Sequence, residues 1–124
     1  MVTMGVDYGE KNVGVALSEG TLAQALTQFP AREALVRLHF LCHQHGVRLI
    51  VLGLPEGRLH QKVIEFAKEL VEKLNIQVKL WDETLSSYQA TEALKLKQRK
   101  KAKQQVHQTA AAHILQSYLD AKHD

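Results

Sequence analysis

Asp7 ends a run in which Val2, Met4, Val6 and Tyr8 share one parity and Thr3, Gly5 and Asp7 the other. A carboxylate at the end of an otherwise apolar strand is costly to desolvate unless it is paired or holds a metal. The plainer reading is a turn opened by an aspartate before Tyr8-Gly9. Gly5, Gly9 and Gly14 would keep the surroundings open to a phosphate. The second acidic position is Trp81-Asp82-Glu83, where adjacent carboxylates repel each other unless a cation is near. Asp82 continues the parity of Ile76, Val78 and Leu80, and Glu83 that of Gln77, Lys79 and Trp81. Only one of the two faces Asp7 easily, and the pattern leaves both open. Alternatively these acids simply precede a helix capped by Ser86 and favour its dipole. Asp7, Asp82 and Glu83 together suit Mg²⁺ (or Mn²⁺), which takes carboxylate oxygens and keeps waters. The chemistry is metal-assisted phosphodiester hydrolysis, with one ion activating water and a second stabilising the leaving oxygen.

A polyanionic substrate needs positive charge, and the chain supplies it locally. Lys95, Lys97, Arg99, Lys100, Lys101 and Lys103 carry six charges in nine residues with no acid among them; without that segment the +3 chain holds ten basic and thirteen acidic residues. The segment fits a polyphosphate partner, or else a solvated loop. Lys97, Arg99, Lys100, Lys101 and Lys103, with Arg58, are the candidate nucleic-acid contacts. Trp81, beside the acids, either stacks on a base or packs under the basic segment.

The elements that must position these groups follow from periodicity. Residues 2–8 and 13–18 alternate as a β-hairpin, and a short third strand spans 25–29 before Pro30. Ala31 to His45 is helical through Ala34, Leu38, Leu41 and Cys42, with Gly46 as its stop. Arg48 to Leu52 reads as a buried strand. Arg58 to Leu74 is an amphipathic helix with Val63, Phe66, Ala67, Leu70, Val71 and Leu74 on one face. Ile76 to Asp82 is a strand, Ser86 to Leu96 a helix, and Gln104 to Ala121 a last helix with Ala110, Ala111, Ile114, Leu115, Tyr118 and Leu119 inward. The fold class is therefore α/β, a mixed five-stranded sheet with an antiparallel hairpin start and helices on both faces. Ligands of such sheets bind beyond the carboxyl ends of the parallel strands, where Asp7 and the Asp82-Glu83 pair both fall.

These residues carry a family resemblance. Met4-Gly5-Val6-Asp7-Tyr8-Gly9 with Val13-Gly14-Val15-Ala16-Leu17-Ser18 resembles the first motif of the YqgF/RuvX family, RNase H-like bacterial proteins named as pre-16S rRNA nucleases or Holliday-junction resolvases. Val51-Leu52-Gly53-Leu54-Pro55, Leu80 to Ser87, and Ala110-Ala111-Ala112 with Ile114 to Leu119 resemble its later motifs, in order along nearly the whole chain. The resemblance implies an RNase H-like fold and carries over Asp7 and Glu83 as catalytic acids, favouring Glu83 over Asp82. The family's third acid falls at His107. Either the imidazole serves as ligand or acid/base there, or the protein binds without cleaving. Thr84 stands where relatives carry Arg, and Glu56-Gly57-Arg58 is a short connection.

The implied function is a metal-dependent nuclease in 5′-end processing of pre-16S rRNA. Alternatives are a Holliday-junction endonuclease and a catalytically degenerate nucleic-acid-binding protein. An ATP-binding protein of the actin/hexokinase type shares the Asp7-Tyr8-Gly9 start, but 124 residues hold only one of the two halves such a site needs. Length and composition, 45% hydrophobic and 23% charged, fit one domain over residues 1–124. The lone Cys42 excludes an internal disulfide and reads as core. No targeting pattern or membrane-length apolar run is present, so the expectation is a cytoplasmic protein without membrane contact, a monomer or weak homodimer. His39 and His43, four residues apart, and His45 read as a solvated helix face, and His60 and His113 as exposed.

Overall fold

The structure is a computed structural model that describes residues 1–82 and 106–123, with side chains of the last helix described from 109 to 122. Its strands are β1 (Val2–Tyr8), β2 (Asn12–Ser18), β3 (Gln24–Pro30), β4 (Val47–Leu54) and β5 (Gln77–Asp82), and its helices α1 (Ala34–His45), α2 (His60–Leu74) and α3 (Val106–His123). The sheet order is β3-β2-β1-β4-β5. The first three strands form an antiparallel meander, and β1 pairs parallel with β4, as β4 does with β5. The expected mixed five-stranded sheet is present, with α1 and α2 on one face and α3 on the other.

Alternation in β1 and β2 separates two cores. Met4, Val6, Val13 and Val15 pack with Ile50 and Leu52 against Leu38 and Cys42 of α1 and Val63, Phe66 and Leu70 of α2. Ala16, Leu49 and Val51 pack against Ala111, Ile114, Leu115 and Leu119 of α3. On this second face a Cβ added to Gly5 would lie 2.7 Å from both the Ala111 carbonyl oxygen and the Leu115 Cβ. Gly5 therefore serves the packing of α3 on β1, a different reason from the open phosphate approach expected of it.

Helix ends follow local chemistry. Gly46 closes α1 in the left-handed region, φ 66° and ψ 39°, its N–H donating to the Cys42 carbonyl. Asn75 closes α2 in the same way at φ 54°, donating to the Val71 carbonyl, a stop the sequence reading did not identify. The two helices start later than expected because 31–33 and 57–59 form tighter 3₁₀ turns. Val71, assigned to the inward face of α2, is 48% exposed. His113 is half-buried rather than exposed, while His39, His43 and His60 are exposed. The expected helix at Ser86–Leu96 lies outside the described residues. Among the described residues no helix is long and apolar enough to cross a membrane.

Candidate functional site

Asp7 is the penultimate residue of β1, half-buried, and pairs across the hairpin with Gly14. Gly14 pairs in turn with Gln28 of β3. On the other side, the parallel register Val6↔Leu52 places Asp7 level with Gly53, which pairs with Trp81. One row thus crosses the sheet as Gln28, Gly14, Asp7, Gly53, Trp81. Its members share the parity of Gly5, Ala16 and Val51 and so face α3. Both cross-strand neighbours of Asp7, Gly14 and Gly53, lack a side chain.

α3 runs antiparallel to β1. Ala111 and Leu115 sit over Gly5, while Leu119 lies beside Met1 and Thr3. The N-terminal end of α3 therefore points toward the edge that carries Asp7, and its partial positive charge favours anions there. His107 falls in the first turn of this helix; its side chain lies outside the described residues, as does Glu83.

The described acids do not share a face. Asp82 pairs with Leu54 and has the parity of Val78 and Leu80, which line a groove with Ala67 and Val71 of α2. By the pleat Asp82 lies on the α2 side and Asp7 on the α3 side. Among the described residues no three His, Cys, Asp or Glu side chains converge on a point.

Supporting groups surround the row. Tyr8, on the opposite face from Asp7, stacks on Phe66 with ring centroids 4.5 Å apart and fixes the end of β1. Its phenol is shifted up by burial and then by the charge of Glu69. Trp81 donates from Nε1 to the Ser117 hydroxyl at 3.1 Å and meets Tyr118 edge-on at 5.4 Å, so it packs against α3; the basic segment under which it was expected to pack lies outside the described residues. Arg58, 85% exposed, pairs with Glu10 in the turn after β1 and thus stands at the same edge as Asp7. Lys97, Arg99, Lys100, Lys101 and Lys103 lie outside the described residues.

Gln28 escaped the sequence reading. Its Oε1 is buried with no hydrogen-bond partner among the described residues, an uncommon state for a polar atom. The available signal was a polar residue two before Pro30, in register with Gly14.

A twisted mixed sheet with this strand order, a central strand ending in an acid and helices on both faces defines the RNase H-like class. The solved structure of T. thermophilus RuvC in complex with Holliday junction substrate superposes with a TM-score of 0.63 at 17% identity, covering 99% of this chain and 96% of that one. A second Thermus thermophilus RuvC structure gives 0.54 at 15% identity with the same coverage. Within that class the chain belongs to the RuvX family, whose sequence model, described as Holliday junction resolvase, matches residues 1–121. Proteins from Clostridium botulinum (strain Hall) and Thermoanaerobacter pseudethanolicus, both named as pre-16S rRNA nucleases, are each 36% identical over 98% of both chains.

Proposed function

We propose that this chain is a metal-dependent nuclease hydrolysing phosphodiester bonds, acting in the 5′-end processing of pre-16S rRNA in the cytoplasm as a single domain over residues 1–124. The observation that carries the reading is Asp7 at the carboxyl end of the central strand, flanked by Gly14 and Gly53, in a chain of this family. The donor type fits Mg²⁺ or Mn²⁺: a carboxylate at the end of β1, between two glycines.

Asp7 and Glu83 would hold the ion; Asp82, expected from the sequence as a further ligand, falls on the α2 side of the sheet and away from it. When bound, the ion supplies Lewis acidity to the phosphoryl oxygens and a lowered pKa for water. Asp7 would orient the ion by its fixed place on β1. His107, in the first turn of α3, exchanges a proton with the attacking water or the leaving oxygen. The N-terminal end of α3 draws the scissile phosphate to the edge. Arg58, Lys97, Arg99, Lys100, Lys101 and Lys103 hold flanking phosphates of a structured RNA. The Arg58–Glu10 pair is exposed and weakly held, so a phosphate displaces Glu10 readily.

A second reading, a Holliday-junction endonuclease, is favoured by the description of the family model and requires a dimer presenting two sites; the first works as a monomer or weak homodimer. His107 in place of an acid favours a third, a degenerate protein that binds nucleic acid without cleaving it. Cleavage of precursor-leader RNA and of four-way junction DNA in Mg²⁺ or Mn²⁺ separates them. Asp7→Asn should lose at least about a thousandfold in rate on the true substrate, a transition-state loss of roughly 4 kcal/mol, with its fold intact. Equal cleavage by wild type and Asp7→Asn would remove Asp7 from the chemistry. His107→Asp distinguishes a working imidazole (rate lost) from a degenerate one (rate gained).

A further inference from the structure

His39 and His43 stand four residues apart on α1, and both are exposed. Residues at that spacing are neighbours on one helix face, with Cβ atoms about 5–6 Å apart. Two imidazoles so placed can grip one metal ion. Leu38 and Cys42 of the same helix are buried in the core, so the helix that carries the pair is fixed before any ligand arrives. Both histidines line one open cavity of about 530 Å³, together with Gly46, Arg48, Asn75 and Gln77. Gly46 and Asn75 are the residues that close α1 and α2. The carbonyl ends of two helices therefore border this cavity, and their partial negative charge favours a cation. Arg48 is the one permanently charged residue in the wall, and it is exposed, where solvent and salt screen it. Cys42 borders the cavity too, but its Sγ lies 4.0 Å from Met4 Sδ in the core.

We propose that His39 and His43 chelate a transition-metal ion of the imidazole-preferring kind (Cu²⁺, Ni²⁺ or Zn²⁺) at the amino end of the sheet, a site separate from the edge that carries Asp7. The cavity touches Val47 at the start of β4, whereas Asp7 is level with Gly53. Six residues of strand, about 20 Å, lie between them. The two ends also differ in ligand chemistry: imidazole nitrogen suits Cu²⁺, Ni²⁺ and Zn²⁺, and carboxylate oxygen suits Mg²⁺. Among the described residues no third His, Cys, Asp or Glu joins the pair. Waters complete the shell, and the ion exchanges with solvent, unlike one enclosed by four protein ligands. Bound there, it clasps the last turn of α1. The proposal is independent of the nuclease reading, since it uses none of the residues assigned to cleavage.

The test titrates Ni²⁺ into the purified full chain in excess Mg²⁺, read by calorimetry, with melting temperatures recorded with and without Ni²⁺. Wild type should bind one Ni²⁺ at its tightest site and melt higher with it. Cu²⁺ should bind more tightly than Ni²⁺ or Zn²⁺. His39→Gln and His43→Gln should each melt like wild type without metal, because both side chains are exposed. Each should bind Ni²⁺ at least about tenfold more weakly, because the second imidazole no longer binds intramolecularly, and should lose the Ni²⁺-dependent rise in melting temperature. The chain holds seven histidines, so adventitious binding needs its own control. His43→Gln combined with Gln44→His keeps their number but takes one off the shared face, and it should bind as weakly as His43→Gln. Wild-type Ni²⁺ affinity in either single variant, or in that combination, means adventitious binding only and overturns the proposal. Ni²⁺ binding that Asp7→Asn abolishes, or that Mg²⁺ displaces, puts the ion at the other edge and overturns it too.

Discussion

The two faces of the sheet are built on different terms. Toward α1 and α2, β1, β2 and β4 present Met4, Val6, Val13, Val15, Ile50 and Leu52, and the helices answer with Leu38, Val63, Phe66 and Leu70, all at most 5% exposed. That face is filled with side-chain volume. Toward α3, β1 and β2 present Gly5 and Ala16 and the helix answers with Ala111 and Leu115, so the helix backbone comes close to β1, while β4 still contributes Leu49 and Val51. Further along the same face the row of Gln28, Gly14, Asp7, Gly53 and Trp81 contains no aliphatic residue. The lesson is a division of labour by parity: one set of alternating positions secures the sheet, and the other gives up volume to bring a helix end close to an acid.

The sharpest attempt to break this comparison is Leu38→Ala. It should cost about 3 kcal/mol, as buried leucine truncations do, while cleavage per folded molecule stays at the wild-type level; chemical denaturation and a cleavage assay at saturating Mg²⁺ read the two. Gly5→Ala attacks the other face. Its methyl meets the Ala111 carbonyl and Leu115 Cβ at 2.7 Å, so stability should fall by about 2 kcal/mol. Here cleavage should fall with it even in the folded fraction, because α3 must move off β1. If Gly5→Ala left the rate of folded molecules unchanged, the position of α3 would not matter to the site. Trp81→Phe, which keeps the ring packing on Tyr118 but removes the Nε1 donor to Ser117, should cost about 1 kcal/mol in a denaturant midpoint. The smallest effect concerns Cys42, whose thiol burial pushes up to about 11 from 9.0. Its folded value exceeds its unfolded one, so the contribution is complete below pH 9 and is lost as pH rises through about 11. Urea midpoints at pH 8 and pH 10.5 should therefore differ less in Cys42→Ala than in wild type.

Much of this was legible in the residues because period-two alternation in 2–8 and 13–18 and helical period in α1 and α3 state which side each residue faces. The placement of Asp7 followed directly. What period cannot state is how far the partner extends beneath a given face. Val71 has the right spacing, yet it stands 48% exposed near edge strand β5. Gly5 was legible as a glycine, but its closeness to Ala111 depends on where a helix more than a hundred residues later comes to rest. Gln28 had only a faint signal, a polar residue two before Pro30. Its neighbourhood is created by two successive pairings and a bulge, and a glutamine in an edge strand otherwise looks like a solvated residue. The Asp82–Glu83 tie was open in the sequence for the same reason: it turns on a pleat whose phase is fixed by the register of β5 on β4.

The bond from the indole of Trp81 to Ser117 joins the last strand to the last helix at a fixed spacing. Whatever the chain does between these two anchors, its ends are already fastened. Lengthening such a tethered connection adds only about 0.6 kcal/mol of closure entropy for each doubling. The segment between β5 and α3 could thus change in length at little cost while the Trp81–Ser117 bond holds its two ends together.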